Sequence, residues 1–332
     1  MFRGVASINE KEVKRFISLS SNSTDYVDCI LFEDKLIIVS YTRELSVYMR
    51  LNFKTNDIPR NKVEFRIKKS ILSQLATDGY MFVELSDKLK LRFTSDIEKE
   101  GIIIETDLQV ANSSEYINFL FLNLNGYEKV DLSCLSNLTK VANLLGTYVS
   151  VDDEIAFIEY NRSFFFQHLN LTNISLQGSS LKKLLTFKEI YNYENYLIGI
   201  TDDITIICNK LKPSYFSDYR FIEKRLDNYI FSTNLSMTPL ALLSKKCKFS
   251  NGECKLNLSN GRCYYEQDGI TYSINLGLTN YSDITISIPN WIVKNILSVY
   301  PDLLSNIELR LYKNQVLIKS KSFSLLYVLK RI

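Results

Sequence analysis

The feature that most constrains this chain is a period. An amphipathic helical stretch begins near residues 68, 178 and 289, at spacings of 110 and 111 residues, and a hairpin with alternating apolar positions follows each one. That period is too long for a solenoid repeat and suits a small independent domain. The 332 residues then divide into three units of like element order, 1–112, 113–225 and 226–332.

In the first unit Asn9 caps a helix running to Ser20. Its apolar face is Val13, Phe16 and Ile17, with Ile8 leading in and Lys11, Lys14, Arg15 and Ser18 opposite. β-Branched and aromatic runs predict strands over 26–32, 35–40, 44–53 and 63–67. A second helix over 68–77 stops at Asp78-Gly79, before a hairpin (80–85, 88–93) and a strand over 102–107. The second unit reads as a helix from Asp131, as cap, to Leu145, then strands 147–151, 155–160 and 162–169. A helix over 178–191 and a hairpin (196–201, 204–208) complete it. In the third, Ser236 caps a helix to Cys247 with Pro239 in its first turn, where proline is tolerated. Strands 254–258, 262–266 and 270–276, a helix 290–300, a hairpin (307–311, 315–319) and a last strand 322–330 follow. The pattern predicts an α+β chain, two helices per unit packed on antiparallel sheets.

Composition removes several functional classes. The six cysteines lack CxxC spacing and read as small buried hydrophobes in a reducing compartment. The one histidine, His168, sits in an apolar stretch and reads as packing, which leaves a zinc site or a histidine-based triad poorly supplied. The pairs Asp152/Asp153 and Asp202/Asp203 fall at hairpin turns, where aspartate serves turn geometry. No glycine-rich phosphate loop or nucleophile elbow is present, so no enzyme, cofactor or metal is expected. No run approaches the roughly 20 apolar residues of a membrane span, and the N-terminus turns polar too soon for a signal peptide. A cytoplasmic protein with no membrane partner is expected.

The net charge of +3 implies no polyanion partner by itself, so any basic surface has to come from local segregation. The helical stretches hold Lys11, Lys14, Arg15, Lys68 and Lys69 in the first unit. The second contributes Lys140, Lys182, Lys183 and Lys188, and the third Lys245, Lys246, Lys248 and Lys294. Against them stand only Glu10, Glu12 and Glu189, with Asp131 as a cap. Base thus gathers on helices and acid on strands and turns, as phosphate contacts without sequence preference require. A set of solvated helix faces is the plainer alternative.

Two segments tie the repeat to a known family. One is Phe216-Ser-Asp-Tyr-Arg-Phe-Ile222, on the connector between the second and third units, and the other is the C-terminal Tyr327-Val-Leu-Lys-Arg-Ile332. With the threefold element order, they resemble the bacterial-type DNA sliding clamp, the β processivity subunit of replicative polymerases. The matching segments are Phe-Pro-Asp-Tyr-Arg-x-Val and Val-Met-Pro-Met-Arg-Leu in that family. Here Ser217 stands for the proline, Leu-Lys replaces Pro-Met, and Thr-Asp-Gly-His-Arg-Leu is matched only by Glu159-Tyr-Asn-Arg-Ser-Phe164. Small size and divergence resemble a phage-encoded member, which would work in the host cytoplasm.

The resemblance implies three clamp domains per chain and a head-to-tail homodimer that closes a ring around double-stranded DNA, with helices lining the hole. It also implies an apolar cleft for DNA polymerase and clamp-loader peptides. Ser217, Phe221 and Ile222 would line one side, Leu326, Val328 and Leu329 the other, with Phe164 from the middle domain. Two other readings stand beside it: a β-rich structural or interaction protein such as a phage assembly component, and a monomeric non-specific DNA-binding protein.

Overall fold

The computed structural model describes residues 2–32, 34–55, 63–74, 77–109, 127–152, 155–161, 163–169, 171, 173–211, 228–240, 253–258, 261–267, 270–275, 284–297, 299–300, 305–321 and 323–328. The first third of the chain runs β1 (Phe2–Ile8), α1 (Glu10–Leu19), β2 (Tyr26–Phe32), β3 (Lys35–Tyr41), β4 (Leu45–Thr55) and β5 (Val63–Lys68). It continues with α2 (Lys69–Gln74), β6 (Gly79–Leu85), β7 (Lys88–Thr94) and β8 (Ile102–Asp107). The middle third runs β9 (Glu128–Lys129), α3 (Ser136–Leu145), β10 (Tyr148–Asp152), β11 (Ile155–Tyr160), β12 (Ser163–His168) and β13 (Ile174–Gln177). Then come α4 (Gly178–Leu184), β14 (Glu189–Tyr193), β15 (Tyr196–Ile200) and β16 (Ile204–Asn209). The last third opens on β17 (Phe231–Leu235) and helical residues 238–240. It goes on through β18 (Glu253–Asn257), β19 (Arg262–Gln267), β20 (Ile270–Asn275), β21 (Thr285–Pro289) and a π-helical segment Ile292–Leu297. β22 (Ile307–Leu311), β23 (Gln315–Lys319) and β24 (Ser324–Val328) end it. One strand, a helix, four strands, a helix and three strands thus recur three times, giving eight strands per repeat among the described residues.

The pairings repeat as well. Strands two to five of each repeat form one group, ordered β5-β2-β3-β4, β13-β10-β11-β12 and β21-β18-β19-β20. Strands one and six to eight form another, ordered β1-β6-β7-β8, β9-β14-β15-β16 and β17-β22-β23-β24. Between repeats, β4 pairs with β16 and β12 pairs with β24, both antiparallel. Each junction therefore joins the fourth strand of one repeat to the eighth strand of the next.

The chain separates into two compact units, Met1–Asp131 with Lys183–Lys210, and Leu132–Lys182 with Leu211–Ile332. In the first, a 12-stranded sheet closes over a core that includes Ile30, Ile38, Met49 and Phe65. In the second, 8-stranded and 4-stranded sheets enclose Leu138, Val141, Phe165, Leu325 and Tyr327.

Local chemistry accounts for the helix ends. The Asn9 side chain accepts the Glu12 N–H at 3.2 Å, and Glu10 and Glu12 lie in the first turn of α1, at the positive end of its dipole. Val13, Phe16 and Leu19 are the buried face of α1, so Leu19 takes the core position expected of the half-buried Ile17. Gly146, at φ 65°, closes α3 in the left-handed conformation that glycine adopts without strain.

Several expectations need correction, among them the burial of every cysteine, since Cys134 is exposed. The helix expected over 178–191 ends at Leu184, because Glu189–Tyr193 pairs with both β15 and β9, and that ladder outweighs helical propensity. Asp131 does not cap α3, since a 3-10 turn at Ser133–Leu135 intervenes and Leu135 takes the cap position. The helix expected over 290–300 is π-wound across Ile292–Leu297. His168, read as packing, ends β12 with an exposed side chain.

Candidate functional site

The apolar surface expected to take peptides is built on β12 and β24. The hairpin between β11 and β12 turns tightly, with Asn161 at φ 48°, a conformation asparagine tolerates better than most residues. Tyr160 sits opposite Ser163 there, and the Thr147 hydroxyl donates to the Glu159 carbonyl at 3.1 Å. This geometry fixes Phe164 one position into β12. Across the ladder Phe164 is the register partner of Leu326, and Leu326 in turn faces Leu317 on β23. Phe164 is half-buried and packs on a cluster of Ile155, Phe157 and Phe166. Side chains alternate across a sheet, so these residues share one face and Phe165, Leu325 and Tyr327 occupy the other. On that other face Phe165, Tyr300 and Phe323 pack mutually, with ring centroids 5.0–5.3 Å apart. Burial there also holds the Tyr300 phenol protonated, raising it well above the usual tyrosine range.

Two of the expected cleft residues, Phe164 and Leu326, are thus brought into direct register. Val328 ends β24, with its backbone opposite Gln315. Ser217, Phe221, Ile222 and Leu329 lie outside the described residues.

The expected DNA-facing cations fall into distinct environments. In the first unit Lys11, Lys14, Lys68 and Lys188 are exposed. Lys14 forms an ion pair with Glu10 one turn back, and Lys188 lies in the turn before β14, not on a helix. The Arg15 guanidinium stacks on the Phe187 ring, 4.8 Å from its centroid. Lys69 and Lys183 turn inward: Lys69 Nζ donates to the Ser21 carbonyl at 2.7 Å and Lys183 Nζ to the Ser20 carbonyl at 3.0 Å. Burial lowers the Lys183 ammonium below the usual lysine range, the neighbouring Cys208 opposes that, and Lys69 lowers it further. In the second unit Lys140, Lys182 and Lys294 are exposed, and Lys140 reaches Asn137 Oδ1 at 3.4 Å. Lys245, Lys246 and Lys248 lie outside the described residues.

Among the described residues the sheets also end on strands that the sequence does not mark out. β8 ends the 12-stranded sheet and β20 ends the 4-stranded one. On them Ile102, Ile103 and Ile270 are 63%, 56% and 56% exposed, far above what isoleucine ordinarily shows. The signal available was Ile102–Ile104, three isoleucines in a row that apolarise both faces of one strand.

The architecture is therefore α+β, antiparallel sheets with few helices in a threefold repeat. It is the fold of the bacterial DNA polymerase III beta subunit, the beta clamp. A protein from Eubacterium rectale assigned as such a subunit matches at a TM-score of 0.73 and 9% identity, with 100% of both chains covered. The DNA polymerase III beta chain of Streptococcus pneumoniae matches at 0.69 and 10% identity, again over 100% of both. The Helicobacter pylori beta clamp bound to a DNA ligase peptide matches at 0.66 and 13% identity, over 99% of each. No protein-family model matches this sequence, and no curated protein matches it. Among the described residues no helix is long and apolar enough to cross a membrane.

Proposed function

We propose that this chain is a DNA sliding clamp. It is a non-enzymatic processivity factor that encircles double-stranded DNA and docks polymerase and clamp-loader peptides on the Phe164–Leu326 face. The observation that carries this reading is the junction rule. The fourth strand of repeat one pairs with the eighth of repeat two, and the fourth of repeat two with the eighth of repeat three. Applied once more, the rule joins β20 to β8, the two edges with exposed isoleucines. A second copy, head to tail, supplies that last pairing twice. Two chains of three domains, 1–112, 113–225 and 226–332, then make a closed ring of six.

The exposed lysines give weak, salt-dependent attraction to phosphate, while closure supplies retention. Sliding stays fast because no single contact is strong. The Helicobacter pylori clamp was captured with a DNA ligase peptide, and a peptide with an apolar anchor suits the face that Phe164 and Leu326 share.

The test is native mass by light scattering at micromolar concentration, followed by retention on circular DNA after loading. The expected results are twice the 38.5 kDa chain, and retention that linearising the DNA abolishes. A stable monomer that binds linear DNA tightly at low salt would instead make it an ordinary non-specific DNA-binding protein. Absence of DNA binding with any loader would leave a structural role.

A further inference from the structure

The first repeat carries a groove that neither the DNA nor the peptide reading uses. It has a volume of about 570 Å³ and crosses β4, β1, β6, β7 and β8. Register places its side chains in rows: Lys54 lies opposite Val5, Val5 opposite Phe82, Phe82 opposite Arg92 and Arg92 opposite Ile103. In the next row Arg3 lies opposite Glu84, Glu84 opposite Lys90 and Lys90 opposite Glu105, beyond the groove, where Lys88 takes up that carboxylate at 3.2 Å. Ala6, Met81 and Leu91 point to the other face and are fully buried, so the groove is on the solvent side of this sheet.

Its charge is one-sided. Arg3, Lys54, Lys90 and Arg92 line it against a single acid, Glu84. Arg3 takes up Glu84 in an ion pair of 3.1 Å. The Arg92 guanidinium lies 3.9 Å from the centroid of the Phe82 ring and donates to the Lys99 carbonyl at 3.4 Å, which holds it in place over the floor. Among the described residues the Lys54 and Lys90 ammonium groups make no ion pair or side-chain hydrogen bond, and Lys90 is half-buried. The charge segregation read from the sequence, with base on helices, therefore fails on this sheet.

We propose that the groove docks an acidic segment of a partner protein. An aromatic or aliphatic side chain would rest on Val5 and Phe82, with carboxylates at Lys54, Lys90 and Arg92. The spacing of the cations chooses the ligand. Lys54 and Arg92 stand three strands apart in one row, and the groove spans five strands, about 19 Å at ordinary strand spacing. That length takes roughly six extended residues. A nucleotide would need its cations gathered at one end. A nucleic-acid backbone would meet Glu84 and an apolar floor.

The experiment uses the full-length protein and a fluorescein-labelled peptide, Glu-Asp-Trp-Asp-Glu-Leu, read by anisotropy at low and high salt. The acidic peptide binds and is weakened by salt, while its amide analogue, Gln-Asn-Trp-Asn-Gln-Leu, binds at least about tenfold less tightly. The double variant Lys54→Glu, Lys90→Glu loses at least about tenfold in affinity, whereas Phe164→Ser, in the other cleft, leaves this affinity unchanged. In the unaltered protein, carbodiimide couples the peptide to Lys54 or Lys90. Any of these results overturns the proposal: no binding, equal binding by the amide analogue or the double variant, loss of binding in Phe164→Ser, displacement by equimolar ATP or oligothymidylate, or coupling confined to other lysines. Because the coupling needs no substitution, a misfolded variant does not shield the proposal.

Discussion

Lys183 Nζ donates to the Ser20 carbonyl at 3.0 Å, reaching the carboxyl end of α1 from 163 residues further along the chain. With Lys69 on Ser21, it places two cations at the negative end of that helix dipole. Lys183→Met should therefore lower stability by roughly 1 kcal/mol in urea melts. The folded ammonium titrates below its unfolded value, so between those two values the unfolded chain binds more protons and this group's contribution rises with pH. Wild type should gain on the Met variant as the lysine range is approached, and a difference independent of pH would refute the assignment.

The outward lysines should behave differently. Lys11→Gln removes an exposed charge that no core contact uses. Under the clamp reading it leaves the melting temperature in place and lowers the salt dependence of DNA affinity by about one phosphate contact. Lys183→Met should leave that slope unchanged. The check is DNA affinity of both variants across a salt series.

Phe164→Ser removes the half-buried ring that faces Leu326 but leaves the aromatic packing behind β12 intact. Under the clamp reading peptide affinity should fall at least about tenfold while the native mass is unchanged, as expected of an anchoring contact. An unaltered affinity would move the peptide site elsewhere.

Ile102→Asp and Ile270→Asp each put a charge on a sheet edge. Under the clamp reading either one should shift the native mass from two chains to a single 38.5 kDa chain by light scattering, since charged edge residues oppose strand addition. A mass that stays double would show that other surfaces join the copies.

Gly178→Ala tests the packing of α4 against α3. An added Cβ would stand 2.6 Å from Asn143 N and 2.8 Å from the Ala142 Cβ, so backbone has to move. The expected cost is roughly 1–3 kcal/mol, visible as a lower melting temperature.

Thiol labelling probes the core. Burial pushes Cys208 up to about 12 and Cys29 higher still, while Cys134 is exposed. Iodoacetamide at neutral pH should modify Cys134 in the native protein, and Cys29 and Cys208 only after unfolding.

The sequence was most legible where structure is local. The hairpin strands 307–311 and 315–319 and the strand 155–160 fall where alternation and turn residues put them, because a short turn and its flanking strands lie within one window. The strands β1, β9, β13, β17 and β21 were not read, for they are short or weakly patterned and take their pairing from strands far along the chain, whereas β14, which pairs with the adjacent β15, was read as the end of a helix. β1 is an example: its inward positions include Gly4, where a Cβ would stand 2.2 Å from the Phe53 ring, and Ala6. Neither residue advertises a strand, yet β1 pairs with both β4 and β6. The resemblance alone placed Phe164 and Leu326 at one cleft, and their strand register was not legible, since no local pattern links positions that far apart. Lysine roles were indistinct for another reason. Lys182 and Lys183 are identical in composition, but one residue along α4 turns a side chain by about 100° and moves it from solvent to a backbone carbonyl, while Lys68 and Lys69 are parted by the change from β5 to α2.

The rule that joins the fourth strand of one repeat to the eighth of the next has a consequence in polymer terms. Under the proposed ring closure it makes the chain a bifunctional monomer with one donor edge and one acceptor edge, β8 and β20. Gain or loss of an internal repeat would leave both reactive ends intact. The number of chains in a closed assembly is then governed by the bend at each junction, and a change of repeat number alters the stoichiometry without requiring a new interface.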